Sequence, residues 1–128
     1  LLQLMPGTAR EVGCLDPRDP GDNLRGGIRY LHTQWTRLAE IADQADRMRW
    51  AWAAYNGGRG YVNRALSLSR LRYGPASRWA AWDVSSGALS WPECTVRGKR
   101  PDWRQMVDYV ARVEAAGERL GAQLEVPA

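Results

Sequence analysis

The chain has 128 residues, of which 45% are hydrophobic and 25% are charged, and its formal net charge is +4. This length and composition indicate a single globular domain with a buried core and exclude a disordered chain. No apolar stretch approaches the roughly 20 residues that a membrane-spanning helix needs.

The first elements are predicted to be helices separated by a proline-rich loop. A capping-box pattern at residues 8–11, Thr-Ala-Arg-Glu, opens a short helix that Gly13 can close. Residues 16–22 force a loop. Apolar residues then recur at spacings of three and four, which predicts one buried helical face: Leu24, Ile28, Leu31, Trp35, Leu38 and Ile41.

The rest of the chain is predicted to be helical as well, so the fold class is all-α. Helices are expected over about residues 46–55 and 61–71, followed by a shorter segment that contains Trp79. Residues 85–100 are predicted to be loop-like. Pro101 suits the first turn of a closing helix and Asp102 suits the positive end of its dipole. The apolar face of that helix comprises Trp103, Met106, Val107, Val110 and Val113.

Few residues suggest metal chemistry or a strong polyanion site. Cys14, Cys94 and the single histidine, His32, are too few soft ligands for zinc, so no metal is expected. The cysteines either form a disulfide or are two separate buried thiols, and the sequence leaves both open. His32 fits a partly exposed helix residue. The basic residues are interleaved with acidic ones from Arg10 to Arg119, which favours an ordinary solvated surface.

Residues 51–61, Ala-Trp-Ala-Ala-Tyr-Asn-Gly-Gly-Arg-Gly-Tyr, predict a functional site. The polar pair Tyr55-Asn56 lies between a small apolar helical run and three glycines, at positions 57, 58 and 60. Glycines free the backbone from side-chain sterics, so we expect a bulky ligand to approach closely there.

Three segments, in order, resemble the catalytic domain of soluble-type lytic transglycosylases. They are Gln-Leu-Met-Pro-Gly-Thr-Ala at residues 3–9, Leu-Asp-Pro at 15–17 followed by Asn-Leu-Arg-Gly-Gly-Ile-Arg-Tyr-Leu at 23–31, and Ala-Tyr-Asn-Gly-Gly-Arg-Gly at 54–60. Gly58 and Arg59 depart from the small residue and the proline that are common in the family. The resemblance implies a single lysozyme-like helical domain over residues 1–128, truncated at its N-terminus, with 76–128 as its lineage-specific C-terminal part.

The resemblance implies cleavage of peptidoglycan without a cofactor. The family breaks the β-1,4 bond between N-acetylmuramic acid and N-acetylglucosamine with one glutamate, which acts first as acid and then as base while a 1,6-anhydro ring closes. That glutamate, in a Glu-Ser motif, lies upstream of the Gln-Leu-Met-Pro segment in the family, so it is expected before Leu1. Leu1 is no initiator methionine and no signal peptide follows it, so we expect a fragment, a processed product or part of a longer chain.

Four site residues are carried over by motif. Tyr55 would be a supporting catalytic residue that flanks the glutamate, and Asn56 would hold adjacent backbone or a substrate acetamido group. Gln3 and Met5 would line the sugar cleft. The alternatives are a half-buried tyrosine, a helix-end asparagine and a core methionine. Three tryptophans could stack on sugar rings, but in a chain without phenylalanine they are better explained as core residues: Trp79, Trp82 and Trp91.

Other functions remain open at this point. Capping, turns and an exposed helix face explain the candidate carboxylates Glu11, Asp16, Asp19 and Glu40, so none of them replaces the missing acid. The leading alternative is a non-catalytic peptidoglycan-binding or virion structural domain that has lost the acid. A nucleic-acid-binding domain comes third, so no nucleic-acid partner is expected. The expected location is the bacterial periplasm or cell envelope, or a phage virion.

Overall fold

The computed structural model describes residues 19–124, which are predominantly helical. Within that range the extended backbone is limited to an isolated bridge between Val96 and Lys99. The all-α prediction is therefore confirmed for the described residues. The helices are α1 (Pro20–Arg37), α2 (Gln44–Gly57), α3 (Arg59–Tyr73), α4 (Ala76–Trp79), α5 (Trp82–Ser85), a 3-10 helix (Ser86–Ser90) and α6 (Trp103–Leu124).

The predicted buried face of helix α1 is confirmed only in its second half, where Leu31 and Trp35 are partly buried against the core. Leu24 and Ile28 are 49% and 55% exposed, although the apolar pattern placed them inside. The buried or half-buried positions of the same stretch include Gly26, Gly27 and Tyr30. Because glycine has no side chain, a neighbouring segment can approach its backbone closely. The buried positions of α1 therefore include small residues as well as large apolar ones.

The C-terminal end of the helix predicted from the spacing of Leu24 to Ile41 is also corrected. Helix α1 ends at Arg37, yet Leu38 and Ile41 are buried at 3% and 1% exposure. A tight turn carries them inward, since the Leu38 amide donates to the Trp35 carbonyl at 3.2 Å and the Ile41 amide donates to the Leu38 carbonyl at 3.0 Å. Their burial was predicted correctly, but a turn and not a helix achieves it.

Helix α2 is the central element and packs against α1, α3 and α6. Asp43 caps its start by accepting a hydrogen bond from the Asp46 amide at 2.9 Å. Its buried residues are mostly alanines (Ala51, Ala53 and Ala54), which leave room for neighbouring helices on several sides. Among them Trp50 is fully buried and its indole N–H donates to the Ala80 carbonyl at 3.1 Å.

The second half of the chain closes the core. Trp79, Trp82 and Trp91 are partly buried and pack against it, which favours the structural interpretation of these tryptophans. Residues 86–90, predicted as loop, form the 3-10 helix. In this stretch Cys94 is a buried free thiol that donates to the Tyr61 carbonyl at 3.7 Å. Its possible partner, Cys14, lies outside the described residues.

Helix α6 completes the bundle. Asp102 caps it by accepting from the Gln105 amide at 3.2 Å, so Pro101 lies before the cap and not in the first turn. Met106 and Val110 are each 1% exposed, which confirms the predicted apolar face at these two positions. No helix in the described range is both long and apolar enough to cross a membrane.

Candidate active site

Tyr55 lies in the last turn of α2, where side chains from three helices surround its ring. The ring centroids of Tyr30 on α1 and Tyr109 on α6 lie 5.3 Å and 6.5 Å from that of Tyr55, and the Tyr109 ring is parallel to it within 2°. Trp52, one turn earlier on α2, lies 5.8 Å away in an edge-on arrangement. We call these four residues the tyrosine cluster.

The hydroxyl of Tyr55 is buried, and it has no hydrogen-bond partner within the part of the chain that the structure describes. Leaving a buried hydroxyl unpaired costs about 1–3 kcal/mol, so such a group in a native site calls for a specific explanation, such as a role in catalysis. Burial, followed by the effects of Tyr109 and Tyr30, raises the pKa of Tyr55 to about 12. The phenol therefore keeps its proton at neutral pH and is available as a hydrogen-bond donor.

The predicted glycine loop is much shorter in the structure. Helix α2 continues through Gly57 and α3 begins at Arg59, so Gly58 alone separates them. Gly58 has φ +106°, which favours glycine, and a Cβ there would meet no atom within 4 Å.

Gly57 has a different role from the predicted one. A Cβ at Gly57 would lie 2.6 Å from Cε of Met106 and nearer still to its Sδ. The partner that approaches Gly57 closely is therefore helix α6 and not a ligand. This packing brings α6, and with it Tyr109, against the end of α2 that carries Tyr55.

The other predicted site residues are placed only in part. Asn56 is half-buried beside Tyr55 in the last turn of α2. Gln3 and Met5 lie outside the described residues, as do Glu11 and Asp16. The structure thus brings Asn56 to the same helix end as Tyr55 and leaves the predicted roles of Gln3 and Met5 as predictions.

Two residues that the sequence analysis did not single out belong to this region. Tyr109 is 5% exposed and its burial raises its pKa, against a smaller lowering effect of Arg112. Gln34 is 1% exposed, and its amide nitrogen and oxygen both lack partners among the described residues. It follows Tyr30 by one helical turn, so both side chains lie on one face of α1. The sequence offered one signal for them: each carries a polar group within the otherwise apolar face of its helix.

Many of the carboxylates in the described range already have structural partners. Glu40 pairs with Arg70 at 3.2 Å, and Arg49 binds Glu114 with its Nε at 3.0 Å and 3.1 Å. Asp43, Asp46 and Asp102 accept backbone N–H groups. The titratable groups that act on Tyr55 are the two tyrosines of the cluster. Nor do the described residues contain a cluster of three or more acidic, histidine or cysteine side chains suited to a metal ion.

Comparison with known proteins relates this region to a described family. A family model for the transglycosylase SLT domain matches residues 1–72, more than half of the chain. This range contains all four predicted site residues. The match confirms the resemblance drawn from the three motif segments.

Several curated proteins are similar over the same part of the chain. Membrane-bound lytic murein transglycosylase F of Pseudoalteromonas translucida is 35% identical over 80 residues, which is 62% of this chain and 17% of that protein. The protein of the same name from Shewanella halifaxensis is 36% identical over 86 residues, or 67% of this chain and 18% of that protein. The chain therefore spans less than a fifth of the length of these relatives.

Proposed function

We propose, since the chain belongs to the transglycosylase SLT domain family, that the protein is a peptidoglycan lytic transglycosylase. It would cleave the β-1,4 bond between N-acetylmuramic acid and N-acetylglucosamine and leave a 1,6-anhydromuramoyl end. The observation that carries the proposal is the buried and protonated hydroxyl of Tyr55, which lies within the matched residues and has no hydrogen-bond partner among the described ones.

The reaction needs one carboxyl group in two protonation states. The protonated glutamate gives its proton to the glycosidic oxygen as the bond to the anomeric carbon breaks. The carboxylate then takes the proton of the muramoyl 6-hydroxyl, whose oxygen bonds to the anomeric carbon and closes the ring. The resemblance implies that this glutamate lies ahead of the Gln-Leu-Met-Pro segment at residues 3–6.

The described residues offer this glutamate a suitable neighbour. The Tyr55 hydroxyl can donate a hydrogen bond to the carboxyl group and hold it towards the glycosidic oxygen. The surrounding rings of Tyr30, Trp52 and Tyr109 exclude water from one side, and low-dielectric surroundings raise the pKa of a carboxylic acid. Such an acid stays protonated near neutral pH, as the first step requires.

The remaining predicted residues would bind the glycan strand. Asn56, beside Tyr55, would hold adjacent backbone or the acetamido group of a sugar. Gln3 would bind the strand by hydrogen bonding, and Met5 would contact a sugar ring by its apolar surface. The names of the relatives describe them as membrane-bound murein enzymes, which supports a location in the bacterial cell envelope.

Product analysis with the full-length protein tests the function. Purified peptidoglycan is incubated with the protein, and the soluble muropeptides are separated and weighed by mass spectrometry. We expect 1,6-anhydromuropeptides, and none from a variant in which the glutamate ahead of residues 3–6 is replaced by glutamine. Binding to peptidoglycan with no released product would contradict the enzyme proposal and fit a non-catalytic wall-binding domain.

A further inference from the structure

A tight two-residue turn projects from the segment between the 3-10 helix and α6. The Val96 amide donates to the Lys99 carbonyl at 2.9 Å, and the Lys99 amide donates back to the Val96 carbonyl at 3.0 Å. Arg97 and Gly98 between them have φ of +53° and +76°. Two positive φ angles in succession are typical of a type I′ hairpin turn, in which asparagine, aspartate or glycine is usual at the position of Arg97. We call residues 96–100 the basic hairpin.

The basic hairpin carries positive charge that no acidic side chain of residues 19–124 neutralises by an ion pair. Arg97, Lys99 and Arg100 are all exposed, and residues 94–100 include no Asp or Glu. Arg64 of α3 adds a fourth cation at its base, since its Nε donates to the Glu93 carbonyl at 3.2 Å. Within the described residues, none of these four side chains forms an ion pair.

The two cations at the base are held by neutral groups. Arg100 donates to the Ser90 carbonyl at 2.6 Å, as Arg64 does to that of Glu93. A backbone carbonyl fixes a guanidinium without neutralising its charge. Arg49 and Arg70 differ from these two residues, because they form ion pairs with carboxylates. The two acids that flank the hairpin in the sequence are placed elsewhere. Glu93 lines a separate open cavity of about 450 Å³ with Arg72 and Trp91, and Asp102 accepts a hydrogen bond from the Gln105 amide at the start of α6.

The basic hairpin lies beside the segment that follows the candidate site. A Cβ at Gly60 would be 3.4 Å from Cγ2 of Val96, so the hairpin packs against the first turn of α3. Cys94, just before the hairpin, donates to the Tyr61 carbonyl in the same turn. That turn starts three residues after Asn56, and the hairpin therefore stands near the end of α2 that carries Tyr55.

We propose that the basic hairpin binds the free carboxylates of the peptide stems of peptidoglycan while the glycan strand occupies the site at Tyr55. This inference rests on the proposed function. N-acetylated glycan is neutral apart from its stems, which branch from the muramic acid and carry carboxylates. Cations beside the glycan site that have no acidic partner in the described part of the chain match that arrangement. Arg and Lys both form charge-assisted hydrogen bonds with carboxylates.

A charge-removal variant tests the inference. Arg97→Asn with Lys99→Gln removes two exposed cations, keeps Arg64 and Arg100, and places at 97 a residue that tolerates positive φ. The matched control is Arg37→Gln with Arg119→Gln, two exposed cations on α1 and far along α6. Each form of the full-length protein is titrated against intact peptidoglycan and against stripped glycan, with melting temperatures recorded alongside. The stripped glycan is made by removing the stems with an amidase and converting the lactyl carboxylates that this leaves into neutral amides.

The hairpin variant should bind intact peptidoglycan roughly three- to tenfold more weakly at low salt, the scale expected for two exposed charge pairs. This difference should shrink as salt is added and should be absent on stripped glycan. The control should match the parent on both materials. DNA is included as a third ligand, and we expect it to bind more weakly than intact peptidoglycan.

Unchanged binding of a folded hairpin variant to intact peptidoglycan would overturn the inference. An equal loss of affinity for stripped glycan, or an equal loss of affinity in the control variant, would overturn it too. If the parent protein binds DNA more tightly than peptidoglycan and the hairpin variant does not, the hairpin binds nucleic acid instead. These failures are separate from failure of the proposed function, because that is read from the parent protein's release of 1,6-anhydromuropeptides.

Discussion

At the scale of single residues, the buried hydroxyl of Tyr55 is the feature most directly tied to catalysis. Tyr55→Phe removes the hydroxyl and keeps the ring in its place among Tyr30, Trp52 and Tyr109. We expect turnover on purified peptidoglycan to fall by roughly ten- to a hundredfold, which equals about 1.4–2.7 kcal/mol in activation free energy. Folding should hardly change, because the hydroxyl has no hydrogen-bond partner in the described part of the chain.

Tyr55→Ala is the matched control, because it removes the ring as well. Truncating a buried aromatic side chain costs roughly 3–5 kcal/mol of stability. This variant should therefore have both a lower melting temperature and a lower activity. Rates of 1,6-anhydromuropeptide release and melting temperatures are measured for both variants. A Phe variant with full activity and normal stability would reduce Tyr55 to a packing role.

The raised pKa of Tyr55 gives a second test at this scale. A phenol whose pKa rises from 10.0 to about 12 on folding contributes stability that is complete below pH 10 and is lost as the pH rises through 12. In an absorbance titration of the folded protein, Tyr55→Phe should remove a phenol that ionises late. If the phenol removed ionises near pH 10, Tyr55 is more exposed than the structure shows.

At the scale of elements, the contact between Gly57 and Met106 sets how closely α2 and α6 approach. Gly57→Ala would force its Cβ into the Met106 side chain, and overpacking of this kind costs typically 1–3 kcal/mol. Gly87→Ala is the control, since a Cβ there meets nothing within 4 Å. Denaturant unfolding measures both. A double-mutant cycle with Met106→Ala should show coupling between the two positions, and strictly additive effects would contradict the contact.

The sequence predicted the helices well and their surfaces less well. Turn residues such as Gly74 and the cap at Asp102 mark helix ends locally, so α3 and α6 were placed within a few residues. Apolar spacing did not predict the buried face of the first half of α1, because Gly26 and Gly27 are buried there while Leu24 and Ile28 are exposed. Tyr109 joins Tyr55 only through the approach of α6 to Gly57. The family motif identified Tyr55 and Asn56. Residues that other helices bring to the site could be identified only from the tertiary structure.

At the scale of the whole molecule, the proposed chemistry needs an acid that residues 19–124 do not bring to Tyr55. We expect the sequence encoded immediately before Leu1 to contain a Glu-Ser pair, on a helix that packs near Tyr55. Reading the gene upstream of Leu1 checks this directly. A non-acidic residue at the glutamate position would remove the enzyme proposal and leave a wall-binding domain.

The proposed reaction breaks glycan strands without adding water. To test this, the full-length protein digests purified peptidoglycan in water labelled with heavy oxygen. We expect muropeptides that end in 1,6-anhydromuramic acid, lighter by one water than hydrolysis products and free of the label. Products with a reducing muramic acid that carries heavy oxygen at its anomeric carbon would show hydrolysis and overturn the proposed function.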